Sequence, residues 1–306
     1  MFDYNFIKIG YSLIIAPIII FGLLLNLFEK YLPTAVIQTI RYGKFAYKGE
    51  KDQFITKLEV PKEYFKHFYV FSTAYSSLVL IVMINIYVFG ASVPLGFVQL
   101  LDFTVGVSRQ STVSAFSSLL ALFLLTVQCY RRLYETYTIQ VFASHSKINV
   151  FHYVVGFAHY AGAIGAIIGE APEFAQTNHK SYLDLNDIRL LDVIGLIVFL
   201  WGWTHQYISN IILANLRKDH RGAVITHEHK IPSGDLFELV SNPHLLTEIV
   251  MYAGLTLILL GNTTWYYVMA WIIANQVEVA LLNHWWYKQT FKDYPKERKA
   301  IIPYIY

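Results

Sequence analysis

The residues best suited to chemistry lie in the last third of the chain, within segments otherwise made of hydrocarbon. The stretch WGWTHQYISNIILANLRKDHR, from Trp201 to Arg221, carries Gln206, Asn210 and Arg217 at helical spacing, with His205 and Ser209 on a neighbouring stripe. Glu248 stands in the first turn of the next apolar run, and Asn275, Gln276, Glu278, Asn283, His284 and Tyr287 follow in the last one. An acid near the middle of a membrane helix costs about 2.5–3.5 kcal/mol, so such groups face a polar cavity or one another. Interhelical hydrogen bonds of about 0.6–2 kcal/mol account for any one of them. An acid, several amides and flanking Arg and Lys taken together read as a pocket for a polar, anionic group.

The elements that position these residues must cross a bilayer. Of 306 residues 55% are hydrophobic and 15% charged, too apolar a balance for an ordinary soluble domain. Seven windows have the length of about 20 residues that a bilayer core requires. They run from about Phe6 to Phe28, Tyr69 to Phe89, Thr112 to Tyr130, Val150 to Gly169, Leu190 to Leu213, Leu245 to Leu260 and Thr264 to Asn283, the sixth being short. The expected fold is therefore an all-α membrane protein of about seven transmembrane helices, a single multi-span domain over residues 1–306. The first window lacks a basic leader and a small-residue cleavage pattern, so it reads as retained, and Pro17 within it is tolerable in a membrane helix.

Of the 24 Lys and Arg, all but Lys8, Arg109, Lys180 and Arg189 fall in the stretches 29–68, 130–149, 214–244 and 284–306. The positive-inside rule then places the N-terminus on the lumenal side and the C-terminus in the cytosol, as an odd number of spans requires. The sequon Asn262-Thr263-Thr264 lies in a lumenal turn so short that no glycan is expected on it.

Other chemistries fail on spacing. None of the 11 His has a partner three or four residues on, so a membrane di-iron site is not expected, and the single Cys129 excludes a disulfide framework and a multi-cysteine metal cluster. Gly162, Gly165 and Gly169 lie inside an apolar window with no preceding strand, which reads as a helix-packing face and not as a dinucleotide loop. The aromatic clusters read mainly as interfacial belts.

The segment HKIPSGDLFELVSNPHLLTE, followed after about forty residues by NHWWYKQTFKDYPKERKAIIPYIY, resembles the C-terminal region of the steroid 5-alpha-reductase family. IRYGK at Ile40, VPKEYFKHFYVFS at Val60, RRLYE at Arg131 and HQY with NLRK between His205 and Lys218 are similar to its polyprenol or polyprenal reductase branch, so the resemblance covers nearly the whole chain. It implies a helical enzyme of the endoplasmic reticulum membrane. Its donor would be NADPH, and its acceptor the carbon-carbon double bond next to the carbonyl of a long isoprenoid, on the route to dolichol for N-glycosylation. The cofactor-binding region falls at about 150–306. Carried over position by position, cofactor contacts fall on Arg132, Asn210, Arg217, Lys230, His244, Glu248, Tyr287 and Arg298. Arg217, Lys218 and Arg221 offer positive charge to the phosphates. For the group that stabilises developing negative charge on the carbonyl oxygen, Tyr207 and His284 are the candidates, with Glu135 as an orienting group.

The chain departs from the steroid-reducing members at two places. Lys30-Tyr31 precedes Leu32-Pro33 where those members carry a Glu, and Gln128-Cys129 replaces their His-Tyr pair. Steroid reduction is thereby placed in doubt while the cofactor positions stay. Two further readings share the architecture: a methyltransferase acting on isoprenylated substrates, and a transporter or lipid scaffold. Neither a nucleic acid nor a metal is an expected partner.

Overall fold

The computed structural model describes residues 3–143, 146–175 and 181–305, so Lys180 lies outside the described residues. The chain is mainly helical: α1 (Phe6–Phe28), α2 (Thr34–Ile40), α3 (Gln53–Lys57), α4 (Phe65–Phe89), α5 (Leu95–Thr104), α6 (Ala115–Tyr134), α7 (Val150–Gly169), α8 (Leu190–Asn215), α9 (Pro243–Ile258) and α10 (Trp265–Thr290). Each of the seven apolar windows is helical. Among the described residues four helical segments are long and apolar enough to cross a membrane: Phe6–Tyr31, Lys62–Phe89, Val150–Gly169 and Trp265–Thr290. A helix satisfies its backbone internally, which is what a hydrocarbon solvent demands.

Local signals set the helix ends. Asn5, Ser114 and Asn149 accept hydrogen bonds from the backbone N–H of Lys8, Ser117 and Phe151 at the starts of α1, α6 and α7. Pro243 opens α9, and Gly90 closes α4 with φ +70°. Large apolar side chains on the outer surface stay uncovered, with Leu13, Leu27 and Ile197 each more than 60% exposed, while Val79, Leu122, Ile164 and Trp265 are wholly buried between helices. That inside-and-outside apolar character suits a bundle solvated by lipid.

The connections alternate between two ends. At one end gather the segments after α1, α6, α8 and α10, called the basic end here. There β1 (Glu59–Pro61) pairs antiparallel with β2 (Lys147–Asn149), and α2 and α3 fold the long loop that the sequence leaves open. At the opposite end lie α5, too short to span, and the turn between α9 and α10. In that turn the Asn262 side chain is fully buried, its amide nitrogen donating to the Ala166 carbonyl at 2.8 Å, so the atom a glycan would need is already engaged.

One helix pair does most of the positioning. Gly195 of α8 and Gly254 of α9 approach so closely that a Cβ on either would lie 2.6 Å from the other's carbonyl oxygen, and a Cβ on Gly202 would lie 2.8 Å from that of Thr247. Backbones in such contact fix the register of α8 on α9. Gln206 is thereby set beside His244 and Glu248. The glycines of α7 do what their spacing predicts: Gly162 and Gly165 face Tyr11 and Ile7 of α1, and Gly169 faces Val105.

Candidate active site

The last turn of α6 delivers two arginines and an acid into the bundle, and a π-helical turn, Glu135–Ile139, continues it. Such turns are frequent at functional sites. Glu135 is fully buried. Its Oε2 accepts from Asn210 Nδ2 at 2.8 Å and from Arg132 Nη1, and its Oε1 lies 3.3 Å from Arg131 Nε. Arg131 is further held by the Trp203 carbonyl and by Gln206 Oε1, with its guanidinium 4.7 Å over the Trp203 ring. Gln206 relays the network to α9, donating to the His244 carbonyl at 3.2 Å and to Glu248 Oε2 at 3.0 Å. Two arginines thus face two carboxylates, the pairing that buried charge requires.

The network keeps capacity in reserve. Arg132 Nε and Nη2 both donate to the Tyr69 hydroxyl oxygen, at 3.2 and 3.1 Å. Tyr69 therefore accepts twice, and among the described residues its own proton has no acceptor. Gln128 Nε2 donates to Gln206 Oε1 at 2.9 Å while Gln128 Oε1 is buried without a partner, as is Nδ1 of His244. Buried polar atoms are nearly always paired, so unmet ones clustered in one place call for a ligand.

A cavity of 310 Å³ opens among α1, α5, α7 and α10. It is lined by Ile7, Gly10, Leu100, Val155, Gly162 and their neighbours, with Tyr11, His159 and Trp271 as its aromatic wall. His159 bridges two phenols, 2.7 Å from the Tyr252 hydroxyl and 3.2 Å from that of Tyr11, and stacks on Trp271 at 4.2 Å. Tyr252 follows Glu248 by one helical turn on the same face of α9. Tyr252 thus links the cavity wall at His159 to the turn of α9 that carries Glu248.

At the basic end, Arg217 donates to the Val141 carbonyl at 2.6 Å and lies 3.0 Å from His229 Nε2, and Lys218 donates to the Ile139 carbonyl at 3.0 Å. Lys44 Nζ sits 3.9 Å above the ring of Tyr287, which itself stacks on Tyr294 at 5.3 Å. The two C-terminal motif segments are tied together. Arg298 Nη1 donates to the Pro232 carbonyl at 2.9 Å, Val240 bridges to Lys299, and Asn242 Nδ2 donates to the carbonyls of Ala280 and Ala300.

The structure therefore joins Arg132, Glu135, Asn210 and Glu248 in one hydrogen-bonded network with the His244 backbone, and sets Arg217 and Tyr287 around Lys44 and His229. Others stand apart. Tyr207 is half-buried and its hydroxyl has no hydrogen bond among the described residues; Lys230 is exposed, with no polar contact among them. Arg221 is exposed and is held only by its backbone N–H to Asp219. His284 is buried against Ser241 Oγ at 2.6 Å, which also meets the Tyr294 hydroxyl at 2.6 Å, so its polar contact lies within the C-terminal segment. Sequence reasoning passed over Tyr69, Arg131, His159, Tyr252, Lys44 and Lys62. Arg131 alone carried a usable signal, a second Arg beside Arg132 at i−4 from Glu135.

Comparison with known proteins assigns the chain. Residues 145–306 match the family described as 3-oxo-5-alpha-steroid 4-dehydrogenase. A polyprenal reductase of Drosophila melanogaster is 40% identical over 98% of this chain and 93% of its own length. Those of Rattus norvegicus and Homo sapiens are each 33% identical, the first covering 96% of this chain and 94% of the relative, the second 87% and 85%. The chain belongs to the steroid 5-alpha-reductase family of membrane oxidoreductases.

Proposed function

We propose that this protein is a polyprenal reductase of dolichol synthesis, saturating the double bond adjacent to the carbonyl of a long isoprenoid aldehyde with NADPH as donor. The relatives bear that name, and the site offers what the reaction needs. The single observation that carries the reading is the Arg132–Tyr69 contact inside a network that also presents Glu248 and retains unmet polar atoms.

The residues suit a dinucleotide. Cations at the basic end match phosphates, while Glu248, Gln206 and the unpartnered His244 Nδ1 match the amide and ribose hydroxyls, with Asn210, Lys230, Tyr287 and Arg298 completing the proposed cofactor set. When bound, NADPH supplies the hydride that adds to the β carbon of the enal. As that carbon is reduced, negative charge develops on the carbonyl oxygen. Tyr69 answers it: its oxygen already accepts from Arg132, so its O–H is polarised and directed to an outside acceptor. Arg132 positions that phenol, and Glu135 positions Arg132. The α carbon then takes a proton from Tyr69 or from water, so one hydride and one proton are added across the double bond. Tyr69 replaces Tyr207 and His284 as the favoured donor, since neither of those reaches the network.

The 310 Å³ apolar cavity, linked to the Glu248 turn of α9 through His159 and Tyr252, is assigned to a few isoprene units of the substrate, with the rest of the chain in the lipid. All seven long helices are assigned as spans, with the basic end in the cytosol, the N-terminus in the lumen and the membrane that of the endoplasmic reticulum; the alternation of basic and non-basic connections supports this. The test is turnover of polyprenal with NADPH, followed by product mass. A product two hydrogens heavier supports the reading. An unchanged aldehyde, or a methylated product formed with S-adenosylmethionine, would defeat it.

A further inference from the structure

Arg41, Arg109, Arg131, Arg132 and Arg189 each pair with an acid. Several cations at the basic end have no such partner among the described residues, and three of them lie close together. Lys44, Lys62 and Arg217 make no ion pair among the described residues, although all three are half-buried. They share a single neighbourhood. Lys44 Nζ is 4.8 Å from the Trp286 ring and 3.9 Å from that of Tyr287; His229 packs edge-on against the same Trp286 at 5.1 Å, and Arg217 reaches His229 at 3.0 Å. Lys62 folds back onto the same loop, 5.8 Å over the Tyr42 ring and 3.3 Å from where a Cβ of Gly43 would stand.

Holding like charges together away from water is unfavourable. Burial, with Lys62 and Arg217 adding to it, pushes the Lys44 amine well below its ordinary value. Burial and the same three cations lower His229 to about 4, so at neutral pH it is an uncharged imidazole that can accept from Arg217. A free-standing protein gains nothing from such an arrangement. An incoming polyanion would relieve it.

We propose that Lys44, Lys62 and Arg217, with His229, form the seat of a phosphomonoester dianion, the 2′-phosphate of NADPH, and thereby select NADPH over NADH. The inference rests on the dinucleotide reading above and adds residues from the N-terminal half to it. A phosphomonoester carries about −1.5 to −2 at neutral pH, against about one charge on each phosphate of a pyrophosphate diester, and three unpaired cations match the former. Position agrees. His244, whose carbonyl accepts from Gln206 beside Glu248, also feels the charges of Lys44, Lys62 and Arg132, so the cluster and the Glu248 network share a neighbour.

The test measures binding, not only turnover, by thermal stabilisation and titration of the full-length protein with NADPH, NADH, 2′,5′-ADP and ADP. The wild type is expected to favour NADPH over NADH and 2′,5′-ADP over ADP. Lys44→Gln and Lys62→Gln should each weaken NADPH and 2′,5′-ADP about tenfold, leave NADH and ADP within about twofold, and so erode the preference. Lys44→Arg should retain most of it, and ADP binding reports that each variant is folded. Equal weakening of NADPH and NADH would assign the cluster to the pyrophosphate and overturn the inference, as would an unchanged preference in both Gln variants. In those cases polyprenal reduction with NADPH still stands. Failure of the wild type to bind either dinucleotide would overturn both readings.

Discussion

Two glutamates at opposite ends of the bundle, one buried and one half-buried, show how a charge in an apolar fold can serve structure or function. Glu170, just past α7, accepts from the backbone N–H groups of Thr263 and Thr264 at 2.8 Å each and from the hydroxyls of Thr112, Thr263 and Thr264 at 2.7–2.9 Å. Burial alone would raise its pKa, yet hydrogen bonds from Thr264 and Thr263 outweigh that and hold it below the usual carboxylate value. Every lone pair has a partner, and the group clamps α7 to the turn before α10. Among the described residues Glu248 has one donor, Gln206, beside His244 and Gln128, each of which keeps one unmet side-chain atom. The burial of a charge does not by itself mark a site. Unused hydrogen-bonding capacity around it does.

That contrast is open to attack from the functional side first. Tyr69→Phe, which deletes only the proposed donor, should lower kcat about 10²–10³-fold with little change in melting temperature or in NADPH affinity, measured by steady-state turnover and titration. Glu170→Gln should do the reverse. It should cost roughly 2 kcal/mol of stability, read as a fall in melting temperature, while activity per folded molecule is kept. Glu248→Gln should weaken NADPH binding about tenfold with a small effect on stability, read by titration of the detergent-solubilised protein. If Glu170→Gln abolished turnover without destabilising the fold, or Glu248→Gln only destabilised, the contrast would fail.

The smallest effect is a dependence on pH. His229 titrates near 6.5 when unfolded and near 4 when folded, so between these values the unfolded chain binds more protons. The stability linked to His229 is fully present above pH 6.5 and is lost as pH falls toward 4. The melting temperature should therefore drop on acidification through that window, and His229→Asn should flatten the slope. Saturating NADPH should reduce it too, since a dianion beside His229 favours the charged ring.

The helical plan was legible because long apolar runs admit few other structures. α5 escaped notice because ten residues are too few to cross a bilayer, and the β1–β2 pairing because it joins loops far apart in sequence. Asn210 and Glu248 could be read from the cost of burying them, and Arg132 from the family resemblance. Tyr69 could not: one tyrosine in an aromatic-rich chain carries no signal until Arg132, 63 residues away, is seen against it. Lys44 and Lys62 were hidden differently, since cations on basic loops are what topology alone predicts. Only their gathering with Arg217 and His229 away from water, visible in three dimensions, marks them out.

The central claim is that the Arg132–Tyr69 pair receives the charge created by hydride transfer. It is tested most directly by single-turnover reduction of polyprenal at saturating NADPH carrying deuterium in the transferable position, with wild type and Tyr69→Phe compared. The account predicts a wild-type product bearing deuterium at the β carbon, and a Tyr69→Phe rate about 100-fold or more slower at unchanged cofactor occupancy. Equal rates in the two proteins would contradict it.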